Sequence, residues 1–323
     1  PILLVNATSL NTGRNWRFEA TRMGEPPRTG RIADEVDKVT RLVRPPDYDR
    51  LPESIAEVRL GIAVASSTVV PALFVPVPIS NLYPNRRIEL VDGGIHDNQG
   101  IQGLLDEGCR CIIISDASGQ MDEAENPDTS VASVLTRTNA VLMHRLREEQ
   151  LTRALTLPHA DVCLIHMRQG LAPAVVPWVG EKQDVQDPAP DRTHAEGRGI
   201  DKGVQERLSR VRTDLDSFTE IEAFSLMQLG YTLSGNALRE KPALAGLLRP
   251  RPRSDWPFQV ILPWMKRPTK DYLRHLDVAA GRLFKVFRLQ PRLHTAFVLA
   301  LTACLVLCVY LSRDWLTRPR LLQ

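Results

Sequence analysis

The chain has 323 residues, of which 43% are apolar and 24% charged, a composition typical of globular proteins that excludes a disordered or fibrous chain. Its net charge of +3 is too small to indicate a nucleic-acid-binding protein. The five cysteines match neither a zinc-site spacing nor a disulfide framework, so we expect reduced thiols and no bound metal.

Three short apolar runs have the length of buried strands: residues 2–6 (ILLVN), 110–115 (RCIIIS) and 163–166 (CLIH). Runs that are apolar throughout are typical of parallel strands covered on both faces. Helical patterns lie between these runs, so we predict an α/β fold with helices on both faces of a parallel sheet. Because the chain starts without Met in an apolar run of this kind, we also expect the native protein to extend further at its N-terminus.

Apolar residues at helical spacing predict three helices in the first half of the chain. Residues 98–108 (NQGIQGLLDEG) form a short one that Gly108 closes, and Asp128 is placed to cap a long one. The apolar positions of the first helix are Ile32, Val36, Val39 and Val43, and those of the long helix are Val131, Val134, Leu135, Val141, Leu142 and Leu146.

The second half of the chain has weaker sequence patterns for secondary structure. Residues 168–203 are rich in Pro, Gly and charge and predict a loop. Ser217 and Glu220 predict a capping box for a helix that Gly230 ends. Residues 236–292 carry Pro and basic clusters, typical of a linker with short helices, so we predict three parts: 1–235, 236–292 and 293–323.

Residues 295–311 (TAFVLALTACLVLCVYL) form an uncharged apolar run near the C-terminus. Its length is at the lower end of what a membrane-spanning helix needs, and basic residues flank it on both sides. The pattern predicts a single-pass transmembrane helix with residues 1–235 on the cytoplasmic side; the alternative is a buried core helix.

Asp92 follows the apolar strand RIELV and precedes two glycines. Asp-Gly is a common turn dipeptide, which is the simplest interpretation. The alternative is an active-site carboxylate, because open α/β folds place their sites where strands end. Upstream, residues 60–77 (LGIAVASSTVVPALFVPV) predict a helix of small residues followed by an apolar segment, and Phe74, Val75 and Val77 could wall an apolar substrate pocket.

Several blocks, in order, resemble the patatin-like phospholipase family, particularly a bacterial subgroup. These are residues 1–19 (PILLVNATSLNTGRNWRFE), 63–77 (AVASSTVVPALFVPV), 90–101 (LVDGGIHDNQGI), 112–120 (IIISDASGQ) and 211–231 (VRTDLDSFTEIEAFSLMQLGY). The resemblance covers about residues 1–232. It implies a three-layer patatin-like sheet and a serine acyl hydrolase that cleaves glycerolipid esters with a Ser–Asp dyad, without histidine or cofactor. Membrane lipids would be its substrate, and the sequence indicates no oligomeric state.

Carried over to this chain, the resemblance implies that Asp92 is the general base and that Gly93 and Gly94 let the serine elbow approach. Neither a Gly-x-Ser-x-Gly elbow nor a Gly-rich oxyanion loop occurs in the 323 residues. The chain thus holds the base without the nucleophile, and the alternative is an inactive membrane-anchored scaffold or binding protein. A phosphatase with an Asp nucleophile would need a second aspartate closer than Asp97.

Other residues near these motifs have simpler interpretations. None of Ser66, Ser67 and Ser118 has glycines on both sides, as a serine elbow requires, so we do not expect any of them to be the nucleophile. His96 is interpreted as a hydrogen-bonding turn residue, and Asp97 with Asn98 as the N-cap of the following helix. The acidic residues 121–128 lack calcium-loop spacing and predict a solvated loop.

Overall fold

A computed structural model describes residues 2–27, 35–51, 53–55, 58–71, 73–118, 121, 123–173, 176, 178–179, 199–211, 218–246, 256–279, 292, 295–304 and 309. The chain divides into two compact units. The sheet unit comprises Pro1–Asp116 and Gln120–Leu164, and the helical unit comprises Ala117–Gly119 and Ile165–Gln323. The predicted bounds at 235 and 292 remain predictions.

The sheet unit contains a five-stranded antiparallel sheet in the order β3-β2-β1-β5-β4. Its strands are β1 (Val5–Ser9), β2 (Asn15–Phe18), β3 (Met23–Gly24), β4 (Val77–Tyr83) and β5 (Arg86–Asp92). A second sheet pairs β6 (Cys111–Asp116) with β7 (Asp161–His166), the latter ending just past the unit boundary. The structure is therefore mixed α/β, and the predicted patatin-like parallel sheet with helices on both faces is wrong.

Short connections explain three of the four antiparallel pairs in the large sheet: β1 with β2, β2 with β3, and β4 with β5. The turn between β1 and β2 is closed by the Gly13 N–H, which donates to the Ser9 carbonyl over 2.9 Å, and Gly13 has a φ of 70°. Only Pro84 and Asn85 link β4 to β5. Two- to five-residue links return the chain alongside itself, whereas parallel strands need a crossover of a dozen or more residues. Strand β2 (NWRF) is buried at every position although it carries Asn15 and Arg17, so burial of a strand on both faces does not make it parallel.

The sheet unit contains the α-helices α1 (Leu60–Thr68), α2 (Gly94–Asp97), α3 (Ile101–Asp106) and α4 (Val131–Leu155), and 3₁₀ turns at Tyr48–Arg50 and Glu53–Ile55. Two clusters form its core. Trp16, Phe18, Met23, Ile88 and Leu90 pack within the antiparallel sheet, and Ile101, Ile112, Ile114, Leu151 and Val162 join α3 and α4 to the two-stranded sheet. The helix predicted over 32–43 is wrong for residues 36–43, where Val36, Val39 and Val43 are exposed outside any described helix; Ile32 lies outside the described residues.

The long helix α4 forms where the sequence predicts it but is capped by a different residue. Ser130 is the N-cap, and its hydroxyl accepts the Ser133 N–H over 3.4 Å. Asp128 lies just outside and accepts the Ser133 hydroxyl over 2.6 Å and the Ser130 N–H over 3.0 Å. These hydrogen bonds lower the pKa of Asp128 to about 2, and the bond from the Ser133 side chain has the largest effect. The expected apolar face is largely exposed, with Val131 at 77% and Leu135 at 66%.

The helical unit contains α5 (Lys202–Ser209), α6 (Glu220–Arg239), α7 (Pro242–Ala245), α8 (Leu262–Lys266) and α9 (Lys270–Ala279), with a 3₁₀ turn at Pro257–Ile261. The capping box of α6 is formed by Thr219 and Glu222 instead of Ser217 and Glu220, and Ser217 lies outside the described residues. Gly230 lies within α6 and does not end it. The side chains of Leu229 and Leu233, on either side of Gly230, are buried in the core of the helical unit, and this packing stabilises the helix across the glycine.

The predicted transmembrane helix over 295–311 is also contradicted. Residues 295–304 are helical, while 305–308, 310 and 311 lie outside the described part of the chain. Nowhere in the part that the structure describes does a helix combine the length and the apolar character that a membrane crossing requires. The predicted membrane localisation through a single C-terminal span is therefore contradicted with it.

Candidate functional site

Strand β5 delivers Asp92 to the end of the large sheet. Asp92 pairs with Ala7 of β1, and its main chain is fixed on two more sides: its N–H donates to the Val69 carbonyl over 2.9 Å, and its carbonyl accepts the Thr8 hydroxyl over 2.9 Å. The residue is half-buried, and its Oδ1 accepts the Gly94 N–H over 2.7 Å. The backbone is thus held rigidly, while the residue keeps access to solvent.

Gly93 is required by close packing of the turn on β1. A Cβ at this position would lie 2.3 Å from the carbonyl oxygen of Asn6, closer than a real Cβ contact. The φ of Gly93 is −64°, a value that any residue adopts, so the requirement is steric and not conformational. At Gly94 a Cβ would come within 2.7 Å of the Asn98 Oδ1 and 3.1 Å of the Asp92 Oδ1. The two glycines therefore serve packing within this chain.

Asp97 and His96 have structural contacts further along the turn. Asp97 is 3% exposed, and its two oxygens accept the N–H groups of Ile101 at 3.1 Å and Gln102 at 2.9 Å, the start of α3. This carboxylate compensates amides that lack helical partners, but the N-cap of α3 is Gly100 and not the predicted Asp97 with Asn98. The carbonyl of His96 accepts the side-chain amide of Gln150 over 2.7 Å, which ties the turn to α4.

Two of the serines considered as nucleophiles lie near this turn. Ser66 is fully buried, and its hydroxyl donates to the Ile62 carbonyl within α1 over 2.8 Å. Ser67 is half-buried, and its carbonyl accepts the Gly93 N–H over 3.3 Å. No hydrogen bond joins the Ser67 hydroxyl to the Asp92 carboxylate in the described part of the chain. Ser118 follows the end of β6.

A polar cleft of about 440 Å³ opens beside α2 and was not foreseen in the sequence. Asp92 is not among its lining residues, although His96 is. Its most polar wall is formed by Arg14, Asn15, Arg17, Gln102 and Arg153. Asn15 and Arg17 are two apart on β2 and so share one face of the strand, the local signal that could have indicated it.

The arginines of this cleft are held by defined partners. Arg14 donates to Asp37 over 2.8 Å, and Arg17, only 1% exposed, donates to Asp106 over 2.8 Å. Arg153 donates to the side-chain oxygen of Gln102 over 3.1 Å. These pairs join segments far apart in the chain, which is why the charges could not be placed together from the sequence.

Next to Arg14, the carboxyl of Glu25 is buried and accepts the hydroxyl of Thr12. Burial raises the pKa of Glu25 above its ordinary value, although the Thr12 hydroxyl and the Arg14 charge oppose the shift. Elsewhere in the sheet unit, burial of Glu19 also raises its pKa, but the hydrogen bonds and charges of Arg22 and Arg44 outweigh this and the net pKa is lowered. The two carboxyls therefore respond to pH in opposite directions.

Comparison of the chain with models of known protein families and with curated protein sequences finds no match.

Proposed function

We propose that this chain carries the general base of a serine-dependent lipid acyl hydrolase, one that cleaves the carboxylic esters of glycerolipids, and that Asp92 is that base. The observation that carries the proposal is the placement of Asp92: it stands at a strand end, half-buried, on a backbone that Ala7, Val69 and Thr8 fix. A general base must be held in place and still be reachable by the proton it removes.

The hydrogen bond from the Gly94 N–H supports this role. It engages Oδ1 over 2.7 Å and orients the carboxylate, while Oδ2 receives no hydrogen bond from the residues that the structure describes. One oxygen fixed and the other available is the arrangement that would accept a serine proton and orient the hydroxyl. Asp97, by contrast, uses both oxygens on the α3 amides and is a structural residue.

The apolar segment after α1 supports a lipid substrate. Leu73, Phe74 and Val75 are exposed at 68%, 49% and 85%, and they follow Val69, whose carbonyl accepts the Asp92 N–H. Three consecutive exposed apolar side chains near a catalytic carboxylate suit an acyl chain. The serine would come from polypeptide other than these 323 residues, because no Gly-x-Ser-x-Gly elbow occurs in them.

The test compares Asp92→Asn with wild type in the full-length protein. Asn keeps an oxygen for the Gly94 N–H, so folding should be retained, but it cannot accept a proton. Hydrolysis of a short-chain nitrophenyl ester and of a phospholipid should fall about 10²–10⁴-fold. Glu89→Gln on the same strand removes a carboxylate that is paired with Arg87 and should leave turnover unchanged.

Two outcomes would contradict the proposal. Near-normal turnover in Asp92→Asn, with an unchanged melting temperature, would remove Asp92 from the reaction. A wild-type protein that hydrolyses neither ester, and that an organophosphate serine probe does not label, would favour the alternative of an inactive scaffold or binding protein.

A further inference from the structure

The polar cleft of the sheet unit has more hydrogen-bond donors than it can use internally. Both oxygens of Asp37 are engaged, by Arg14 at 2.8 Å and by the Val39 N–H at 3.2 Å. Both oxygens of Asp106 are engaged as well, by Arg17 at 2.8 Å and by the Gln102 amide at 2.6 Å. Each acidic side chain of the cleft therefore already has a donor on both of its oxygens.

The arginine side chains are not saturated. A guanidinium has five N–H donors. Arg17 uses one nitrogen, Nη2, on Asp106, and its buried Nε has no acceptor within the described residues. Arg153 makes a single hydrogen bond, to the neutral Gln102 side chain, and no ion pair among the residues described. With three arginines against two aspartates in its lining, the cleft has a net positive charge.

The cleft also contains one hydrogen-bond acceptor, on Asn15, that has no donor among the described residues. Asn15 is 5% exposed, and its side-chain oxygen has no donor in the described structure, while its nitrogen makes only a long contact of 3.4 Å to Asn6. A buried donor and a buried acceptor without partners, two residues apart on one strand, destabilise the fold unless another molecule satisfies them. A complementary ligand would carry several acceptors and one hydroxyl.

We propose that this cleft binds a small phosphate ester that bears a hydroxyl group, with Arg17 and Arg153 on the phosphate oxygens and Asn15 accepting the hydroxyl. Arginine is the residue best suited to phosphate because its planar N–H groups bind two oxygens at once. The volume of about 440 Å³ is that of a small-ligand site, and Pro26, Pro27, Val39 and Leu105 provide its apolar walls. The proposal does not depend on Asp92 being catalytic.

The experiment titrates glycerol 3-phosphate into the full-length protein by isothermal calorimetry. We expect saturable binding in the millimolar range or tighter that weakens as salt is added. Arg153→Gln should weaken it about tenfold or more, the value of one charge-assisted hydrogen bond. Gln102→Glu should weaken it similarly, because a carboxylate there engages Arg153 and repels phosphate. Arg153 is exposed and Gln102 is half-buried, so both variants should fold.

The matched control is Arg145→Gln, which removes an exposed arginine from the same helix, α4, outside the cleft. Its affinity should equal that of the wild type. Absence of saturable binding up to about 10 mM, or equal weakening by Arg145→Gln, would overturn the proposal.

A second arm identifies the source of the phosphate. The competitor is micelles of a short-chain phosphatidylglycerol. If they compete with glycerol 3-phosphate for wild type, and compete less for Arg153→Gln, the ligand is a lipid headgroup. Glycerol 3-phosphate binding that the micelles do not affect identifies a free metabolite. Either result supports the cleft as the binding site.

Discussion

Substituting Gly93 by alanine tests how tightly the Asp92 turn packs on β1. The new Cβ would lie 2.3 Å from the Asn6 carbonyl oxygen and 2.7 Å from its carbon, so strand and turn must separate by at least about 0.7 Å to reach the shortest real contacts. Neither atom can rotate away, because both belong to the backbone of a central strand.

The expected cost follows from these contacts. Overpacking of this kind costs about 1–3 kcal/mol, and the separation also stretches the Gly93 N–H bond to Ser67, already 3.3 Å long. Reduced freedom of the unfolded chain offsets about 0.4–1 kcal/mol of this, since φ is already compatible with alanine. We expect a net loss of about 2 kcal/mol, equivalent to a fall of roughly 4–8 °C in melting temperature.

The assay is urea unfolding followed by the blue-shifted fluorescence of Trp16, which is fully buried in the sheet unit. Gly61→Ala is the control: it lies in α1 of the same unit, and a Cβ added there would have no atom within 4 Å, so the change should be neutral or slightly stabilising. A Gly93→Ala protein that unfolds at the same urea concentration as Gly61→Ala would refute the reasoning, because the turn would then be able to move.

Three further predictions concern stability. The raised pKa of Glu25 means that wild type loses stability as pH rises above the ordinary value of 4.5, so Glu25→Gln should be the more stable protein near pH 8 and equal to wild type near pH 4 in urea titrations. The lowered pKa of Glu19 means the opposite: its stabilising contribution is present above 4.5 and is lost as pH falls through the folded-state pKa. Glu19→Gln should therefore be destabilised by a few kcal/mol at neutral pH, because it removes the charge that pairs with the buried Arg44, and the difference should shrink in acid. Thr219→Ala should cost about 1 kcal/mol by removing the capping box with Glu222, measured as a lower melting temperature of the helical unit.

Strands β5, β6 and β7 and the Asp92 turn could be located from the sequence, because their signals are local. The runs 110–115 and 163–166 coincide with most of β6 and the end of β7, the strand before Asp92 is β5, and Gly108, with a φ of 71°, follows α3 as predicted. Each of these depends on neighbours in the chain: apolar runs favour extended backbone, and a glycine tolerates the left-handed conformation that ends a helix.

Strand direction and the cleft were decided only by the tertiary structure. Apolar runs of similar composition serve parallel and antiparallel strands, and the choice depends on which strands meet. The cap of α4 was misplaced for a local reason, since Ser130 and Asp128 are both residue types that cap helices and only Ser130 accepts the Ser133 N–H. Arg17 and Asp106 are 89 residues apart, so no local sequence pattern indicates their ion pair. The steric requirement for Gly93 likewise comes from a carbonyl group on β1. Local patterns specify where backbone hydrogen bonds can form, whereas the site depends on contacts between distant segments that only the folded chain brings together.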